Sequence, residues 1–496
     1  MPEFTTDDVV ELGHGVVLRA VEVSGEARDT TLAPGAGTPV RDAEPGSPAE
    51  YLSRAGAPPS AAAELGAALA DSGMRLHATV GLPNLTAPRR GPVSRTRGPS
   101  SVPRLELEVD APVRADEGQL ILEVDATGHL RWHLPIGPLA AGGRRGAAAQ
   151  RFDIPVDQFA TASSGSSDRG LIGYGVGKVL HLIRFPVERA AGWVAEKAVG
   201  WWEERNRPYR LHLANPDGTV GADADPGTLA ALGDGPFLLF LHGCFSTGAS
   251  FGGLHRDRFP RWHEQYGGRL LVFDHPTVAT PPDANARWLL DRLPPGRRTA
   301  LDVVTHSRGG LVGRHLLASD RVDVRRLVQV AAPNAGTVLA RKERIGDLLD
   351  TFTNTLSLVP DSFGAPALQG VLEVVKQVAL GALSGLDGLA AMDPDDEGLK
   401  ALNAGAKSSG SVHAITTDYQ PPDSAALAAK ALNAIVDALF GGANDLVVPT
   451  EGMARADRFV IADPYVVAGG DGISHCEYFS HLGVRDEITR CLALPT

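Results

Sequence analysis

The residues best equipped for chemistry are gathered in one stretch, T-A-L-D-V-V-T-H-S-R-G-G-L-V-G-R-H-L, from Thr299 to Leu316. An apolar, β-branched run ends at Thr305, Ser307 stands between His306 and Arg308, and Gly309 and Gly310 open a helix-like segment. A serine hydroxyl is a weak nucleophile at its own pKa. It needs a base to take its proton and donors to hold the resulting oxyanion. A serine on a sharp strand-to-helix turn has the strained, presented backbone that such a nucleophile uses, and small residues let the helix pass close to the strand. T-H-S-R-G departs from G-x-S-x-G at its first position, where Thr305 stands.

A serine nucleophile of this kind is followed in the chain by an acid and then a histidine. N-D-L-V-V-P-T (444–450) follows a helical segment at 424–440 and offers Asp445; Asp418, directly after a strand at 411–417, is the alternative. Of fifteen histidines only His475 and His481, in I-S-H-C-E-Y-F-S-H, lie beyond Asp445. His475, Cys476, Glu477 and His481 match no usual zinc spacing, so no metal is expected.

These residues need a scaffold, and the chain supplies one from about residue 209. Short apolar runs at 236–243, 269–274, 300–305, 325–333, 411–417 and 458–462 alternate with helix-like segments such as 283–293 and 309–318. That rhythm predicts an α/β fold with a mostly parallel central sheet and helices on both faces. Residues 338–405 interrupt it with a long, apolar-periodic helical insert, expected as a cap over the C-terminal edge of the sheet.

The chain before 209 reads differently. Residues 1–168 form an accessory region: strand material at 8–24, Gly/Pro/Ala-rich inserts at 25–60 and 87–103, a short helix at 61–71, and a β-rich unit around 104–135. L-E-L-E-V-D, Q-L-I-L-E-V-D and H-L-R-W-H-L-P alternate with period two, and D-A-T-G supplies a hairpin turn. The region is expected to be structural or to meet a protein partner. Residues 169–208 combine a glycine-rich linker with a predicted amphipathic helix over 178–204, which docks between domains or, in the sharper reading, touches lipid. The P-loop pattern fails there, because Ile172 stands where a glycine is required and Val179 where Ser or Thr is required.

Composition narrows the partners. The 496 residues carry 47 Lys+Arg against 59 Asp+Glu, a net charge of −12, which disfavours nucleic acid and anionic membrane surfaces. Three cysteines, Cys244, Cys476 and Cys491, make no disulfide framework and suit a reducing compartment. Neither a secretory signal nor a run of about 18 apolar residues is visible, so a cytoplasmic protein without a transmembrane segment is expected.

Taken in order, L-F-L-H-G-C-F-S-T, V-V-T-H-S-R-G-G-L-V, A-A-P-N-A-G-T (331–337), N-D-L-V-V-P-T-E and H-C-E-Y-F resemble the serine α/β-hydrolases over roughly 209–496, in particular the bacterial lipase and esterase-like branch. The resemblance implies the α/β-hydrolase fold and acyl transfer to water on lipid-like or other small acyl esters, with no cofactor. It implies Ser307 as nucleophile, Asp445 as acid and His475 as base, since relatives ending in a histidine shortly before Tyr-Phe use that histidine. It also implies that the backbone N–H groups of Cys244 and Arg308 form the oxyanion hole, with the Arg308 side chain toward the cleft. A thioesterase or amidase using the same triad, and a catalytically silent binding or scaffold protein on this fold, are the alternatives.

Overall fold

The computed structural model describes residues 3–29, 59–86, 103–112, 117–125, 128–140, 149–156, 176–186, 198–255, 257–295, 298–358, 365–380, 385–405, 411–425, 427–467 and 472–494. They form two compact units. The first is Met1–Gly192 with Val378–Gly381 and Ala426–Ala431; the second is Trp193–Gln377, Ala382–Ala425 and Leu432–Thr496.

The first unit is built from two five-stranded antiparallel sheets. One runs Ile136–Ala140, Ala149–Pro155, Arg104–Asp110, Val16–Val21, Val9–Gly13; the other runs Arg28–Asp29, Arg75–Leu85, Val176–Pro186, Glu117–Asp125, Leu130–His133. Alternation explains the first: Leu105, Leu107 and Val109 are buried while Glu106 and Glu108 point away from the core. Leu18, Leu107, Phe152 and Ile154 of one sheet share a core with Leu82, Ile121, Leu180 and Leu182 of the other, as in a sandwich. The strands Glu117–Asp125 and Leu130–His133 are joined by a turn in which Gly128, at φ +87°, donates its N–H to Asp125 O.

Two expectations are corrected here. The β-rich stretch 104–135 is not a unit of its own, because its first strand joins one sheet and the next two join the other. The single helix expected over 178–204 is not formed: Val176–Pro186 is a central strand paired on both sides, and among the described residues of that stretch Ala198–Asn206 is helical. A strand covered on both faces carries a nearly continuous apolar run, and a short run of that kind fits a helical period equally well. The glycine-rich piece 169–175 and most of the inserts at 25–60 and 87–103 lie outside the described residues.

The second unit centres on an eight-stranded sheet: Val220–Asp223, Arg210–Ala214, Leu270–Asp274, Phe237–Leu241, Thr299–His306, Val322–Val330, Ser411–Thr417, Tyr465–Val467. Arg210–Ala214 is antiparallel to both its neighbours, and the remaining pairs are parallel. Phe237–Leu241 is buried at every position, as a strand under helices on both faces requires. This is the α/β-hydrolase fold. The strand expected at 458–462 is reduced to Phe459–Val460, which pairs with Arg455–Ala456 in a separate hairpin. Asp457 and Asp463 both adopt left-handed backbone (φ +49° and +50°), so the chain turns at either end and the sheet's last strand begins only at Tyr465. The insert supplies the helices Ile345–Leu358 and Ala365–Ala379 and the shorter Asp387–Ala390 and Glu397–Ala404. Among the described residues no helix is long and apolar enough to cross a membrane.

Candidate functional site

Ser307 stands where the strand Thr299–His306 turns into the helix Gly309–Leu317, and its φ is +52°. A non-glycine residue held there costs roughly 1–3 kcal/mol, which the surrounding structure must offset. It does so with two hydrogen bonds, Ser307 N–H to Val330 O at 2.9 Å and Gly310 N–H to Ser307 O at 2.8 Å. Two glycines make the turn sterically feasible. A Cβ on Gly309 would lie 2.3 Å from Leu241 O, and one on Gly243 would lie 2.7 Å from Ser307 Cβ.

The hydroxyl is not alone. His475 Nε2 lies 2.8 Å from Ser307 Oγ, and His475 Nδ1 lies 2.7 Å from Asp445 Oδ2. A carboxylate oxygen can only accept, so Nδ1 carries the proton and the Nε2 lone pair faces the serine hydroxyl. Asp445 is held in turn: Oδ1 accepts from the N–H groups of Val447 (3.0 Å) and Val448 (2.8 Å), and Oδ2 also accepts from Tyr478 Oη at 3.2 Å. His475 N–H donates to Asp445 O at 3.0 Å, so backbone and side chain both tie the pair together. All three side chains are buried. Such a chain can take a proton from the serine and stabilise the imidazolium that results.

The other predicted residues are placed as follows. Asp418 is half-buried and receives Gln420 Nε2 at 3.4 Å, while His481 precedes the helix Leu482–Cys491; neither joins the Ser307–His475–Asp445 chain. Cys244 lines the same pocket as Ser307 and is buried, and burial pushes its thiol up to about 12, so the side chain is a neutral thiol rather than a thiolate. The Arg308 side chain does not face the cleft, contrary to expectation. It is fully buried and turns away to Gly388 O (2.8 Å), Asn285 Oδ1 (3.1 Å) and Thr280 O. With only neutral oxygens as hydrogen-bond partners, burial lowers its pKa, and the guanidinium ties the turn at Ser307 to the helix Asp387–Ala390. Among the described residues no cluster of His, Cys, Asp or Glu is placed to hold a metal ion.

Several contributors are invisible in the sequence. Glu203, in the helix Ala198–Asn206, accepts the N–H groups of Thr277 (2.7 Å), Val278 (2.8 Å) and Ala279 (2.7 Å). Burial raises its pKa while those three bonds oppose the rise. Thr277 Oγ1 then accepts from Phe245 N–H at 3.2 Å, fixing the residue after Cys244. A-A-P-N-A-G-T holds the segment that follows Asp445: Thr337 Oγ1 donates to Val447 O at 2.7 Å, and Asn334 Nδ2 donates to Met453 O at 2.5 Å. The motif's presence is legible in the sequence; its partners, more than a hundred residues away, are not.

Over Ser307 opens a pocket with an apolar wall of Phe352 and Leu356, one helical turn apart on Ile345–Leu358, joined by Ala367 and Phe479. Phe352 stands edge-on to His475, with ring centroids 5.9 Å apart.

A family model described as "Domain of unknown function (DUF7379)" matches residues 206–493. No curated protein matches the chain. Among solved structures it is similar to lipase 1 from Pelosinus fermentans, at 13% identity over 52% of this chain and 99% of that one with a TM-score of 0.35. It is also similar to the mature form of a Bacillus licheniformis lipase, at 14% identity over 52% of this chain and 92% of that one with a TM-score of 0.30.

Proposed function

The chain belongs to the family described as "Domain of unknown function (DUF7379)", and from the geometry of its own site we propose that it is a serine hydrolase that cleaves carboxylic acyl esters through an acyl-enzyme. One observation carries the reading: an unbroken Ser307–His475–Asp445 hydrogen-bond chain, at 2.8 and 2.7 Å, beginning on a left-handed serine that lines a pocket. Ser307 Oγ attacks the ester carbonyl carbon and a C–O bond forms as its proton passes to His475 Nε2. The backbone N–H groups of Cys244 and Arg308 receive the oxyanion. Collapse breaks the bond to the leaving alkoxide, which takes the proton from His475. Water then repeats the sequence on the acyl-enzyme and releases the acid. The apolar wall of Phe352, Leu356, Ala367 and Phe479 favours an acyl group over a charged one.

Turnover of short and long p-nitrophenyl esters tests this, with matching thioesters and anilides as competitors. Ester cleavage by the wild type should exceed that of Ser307→Ala by about 10⁴-fold or more, since loss of the nucleophile removes covalent catalysis. A fluorophosphonate should label Ser307 alone. Well-folded protein that neither turns over esters nor takes the label would instead be the silent scaffold.

A further inference from the structure

The lining of the pocket is not wholly apolar. Ser246, Ser250 and His306 line it together with Phe352 and Leu356. His306 Nε2 lies 2.8 Å from the His475 carbonyl oxygen, which can only accept, so Nε2 carries the ring proton. Burial, together with the neighbouring His475, pushes the His306 pKa down to about 3, so the ring is neutral and Nδ1 is a lone-pair acceptor. That nitrogen is buried and has no hydrogen-bond partner, in a side chain more than nine-tenths buried. It lies on the oxyanion-loop side of the site, 3.2 Å from where a Cβ on Gly243 would stand. Ser250 Oγ is likewise shielded and without a partner. Ring contacts connect them: His306 packs on Phe479 (centroids 5.5 Å apart), and Phe479 packs on Phe251, the neighbour of Ser250 (5.0 Å).

Buried polar atoms left without a partner are costly, and protein interiors seldom leave two in the lining of one pocket. Another polar residue of this lining is satisfied: Ser246 Oγ donates to Thr247 O at 3.2 Å. We propose that Ser250 Oγ and His306 Nδ1 form a polar subsite for a neutral hydrogen-bond donor next to the scissile carbonyl, so that the substrate is a hydroxylated or amide-bearing acyl ester rather than a plain hydrocarbon one. The inference rests on the ester-hydrolase reading. Donor and substrate are neutral because no side chain lining the pocket carries a carboxylate, ammonium or guanidinium. An acyl chain of a few carbons lies along Phe352 and Leu356 while its hydroxyl or N–H turns to His306. A site built to meet a donor discriminates against the isostere that lacks it, because its own buried polar groups then stay unpaired.

The test compares phenyl 3-hydroxybutanoate and phenyl N-acetylglycinate with phenyl pentanoate. The readout is the ratio of kcat/KM values, which a merely structural role would not move. The wild type should favour at least one donor-bearing ester by about tenfold or more, as expected for one bond to an otherwise unpaired buried group. Ser250→Ala, which touches no bond of the triad, should lower that ratio severalfold. His306→Phe should bring it near one while fluorophosphonate still labels Ser307. Equal ratios in the wild type and both variants, with esters turned over, overturn the subsite and leave the hydrolase reading standing. Absence of both turnover and labelling in folded wild type overturns the hydrolase reading and the subsite with it.

Discussion

Each unit buries a histidine against a carboxylate at the same distance. In the sandwich, His133 Nε2 meets Glu123 Oε2 at 2.7 Å; in the α/β unit, His475 Nδ1 meets Asp445 Oδ2 at 2.7 Å. What differs is the far side of each pair. Glu123 also receives the Lys178 ammonium; burial pushes its pKa up, but Lys178 and the His133 bond outweigh that and hold it well below the usual carboxylate range. The cluster is closed on itself, with Lys178, Glu123 and His133 all buried. The Asp445 pair instead ends on a serine hydroxyl with left-handed backbone beside a pocket. A buried histidine–carboxylate pair is therefore not a site. It becomes one where the unused ring nitrogen meets a group that can react.

That contrast can be broken by experiment. Asp445→Asn should lower kcat by about 10⁴-fold at nearly unchanged stability, because the amide stabilises the wrong imidazole tautomer; a loss below tenfold would reduce this pair to the rank of the other. Glu123→Gln should do the reverse. Turnover of the folded protein stays unchanged, while removing one partner of the buried pair leaves Lys178 unpaired and costs about 3–5 kcal/mol, read from denaturant midpoints.

Acid should affect both units alike. Burial lowers His129 to about 4 and His181 to about 3 in the sandwich, and His242 to about 4 and His306 to about 3 in the α/β unit. Their folded pKa values lie below the unfolded value near 6.5, so the unfolded state binds more protons as the pH drops. Stability is therefore full above about pH 6.5 and declines as pH falls toward about 4 and 3. Thermal unfolding across pH values from about 8 to 4 checks this, and a flat Tm between about pH 6.5 and 4 contradicts it. The smallest effect belongs to Tyr478→Phe, which removes one 3.2 Å bond to Asp445. A severalfold drop in kcat is expected, equivalent to about 1 kcal/mol.

Much of the architecture and of the site is legible in the residues themselves. The period-two run at 105–110 marks a strand buried on one side, the run at 119–125 marks a strand although its residues are buried on both faces, and the alternation of apolar runs with helical segments from 209 onward marks a parallel sheet. The stretch 178–186 misleads because a doubly covered strand and a buried helix share an apolar run. Arg308 misleads for another reason: a sequence names the residue after the serine but not the direction of its side chain. Glu203 carries no signal at all, since a glutamate capturing three backbone N–H groups looks like any other glutamate.

The amino-acid sequence by itself determined the strand-to-helix turn at Ser307, the succession of a serine, an acid and a histidine along the chain, and the fold class, because these depend on local residue types and their succession. Only the tertiary structure decided which acid and which histidine meet Ser307, that Arg308 braces the cap, and that His306 keeps a lone pair without a partner. Those outcomes depend on convergence: His475 reaches Ser307 from 168 positions away, and Asp445 reaches His475 from 30. No local pattern encodes which distant side chains share a few ångströms; packing of the sheet and its loops does.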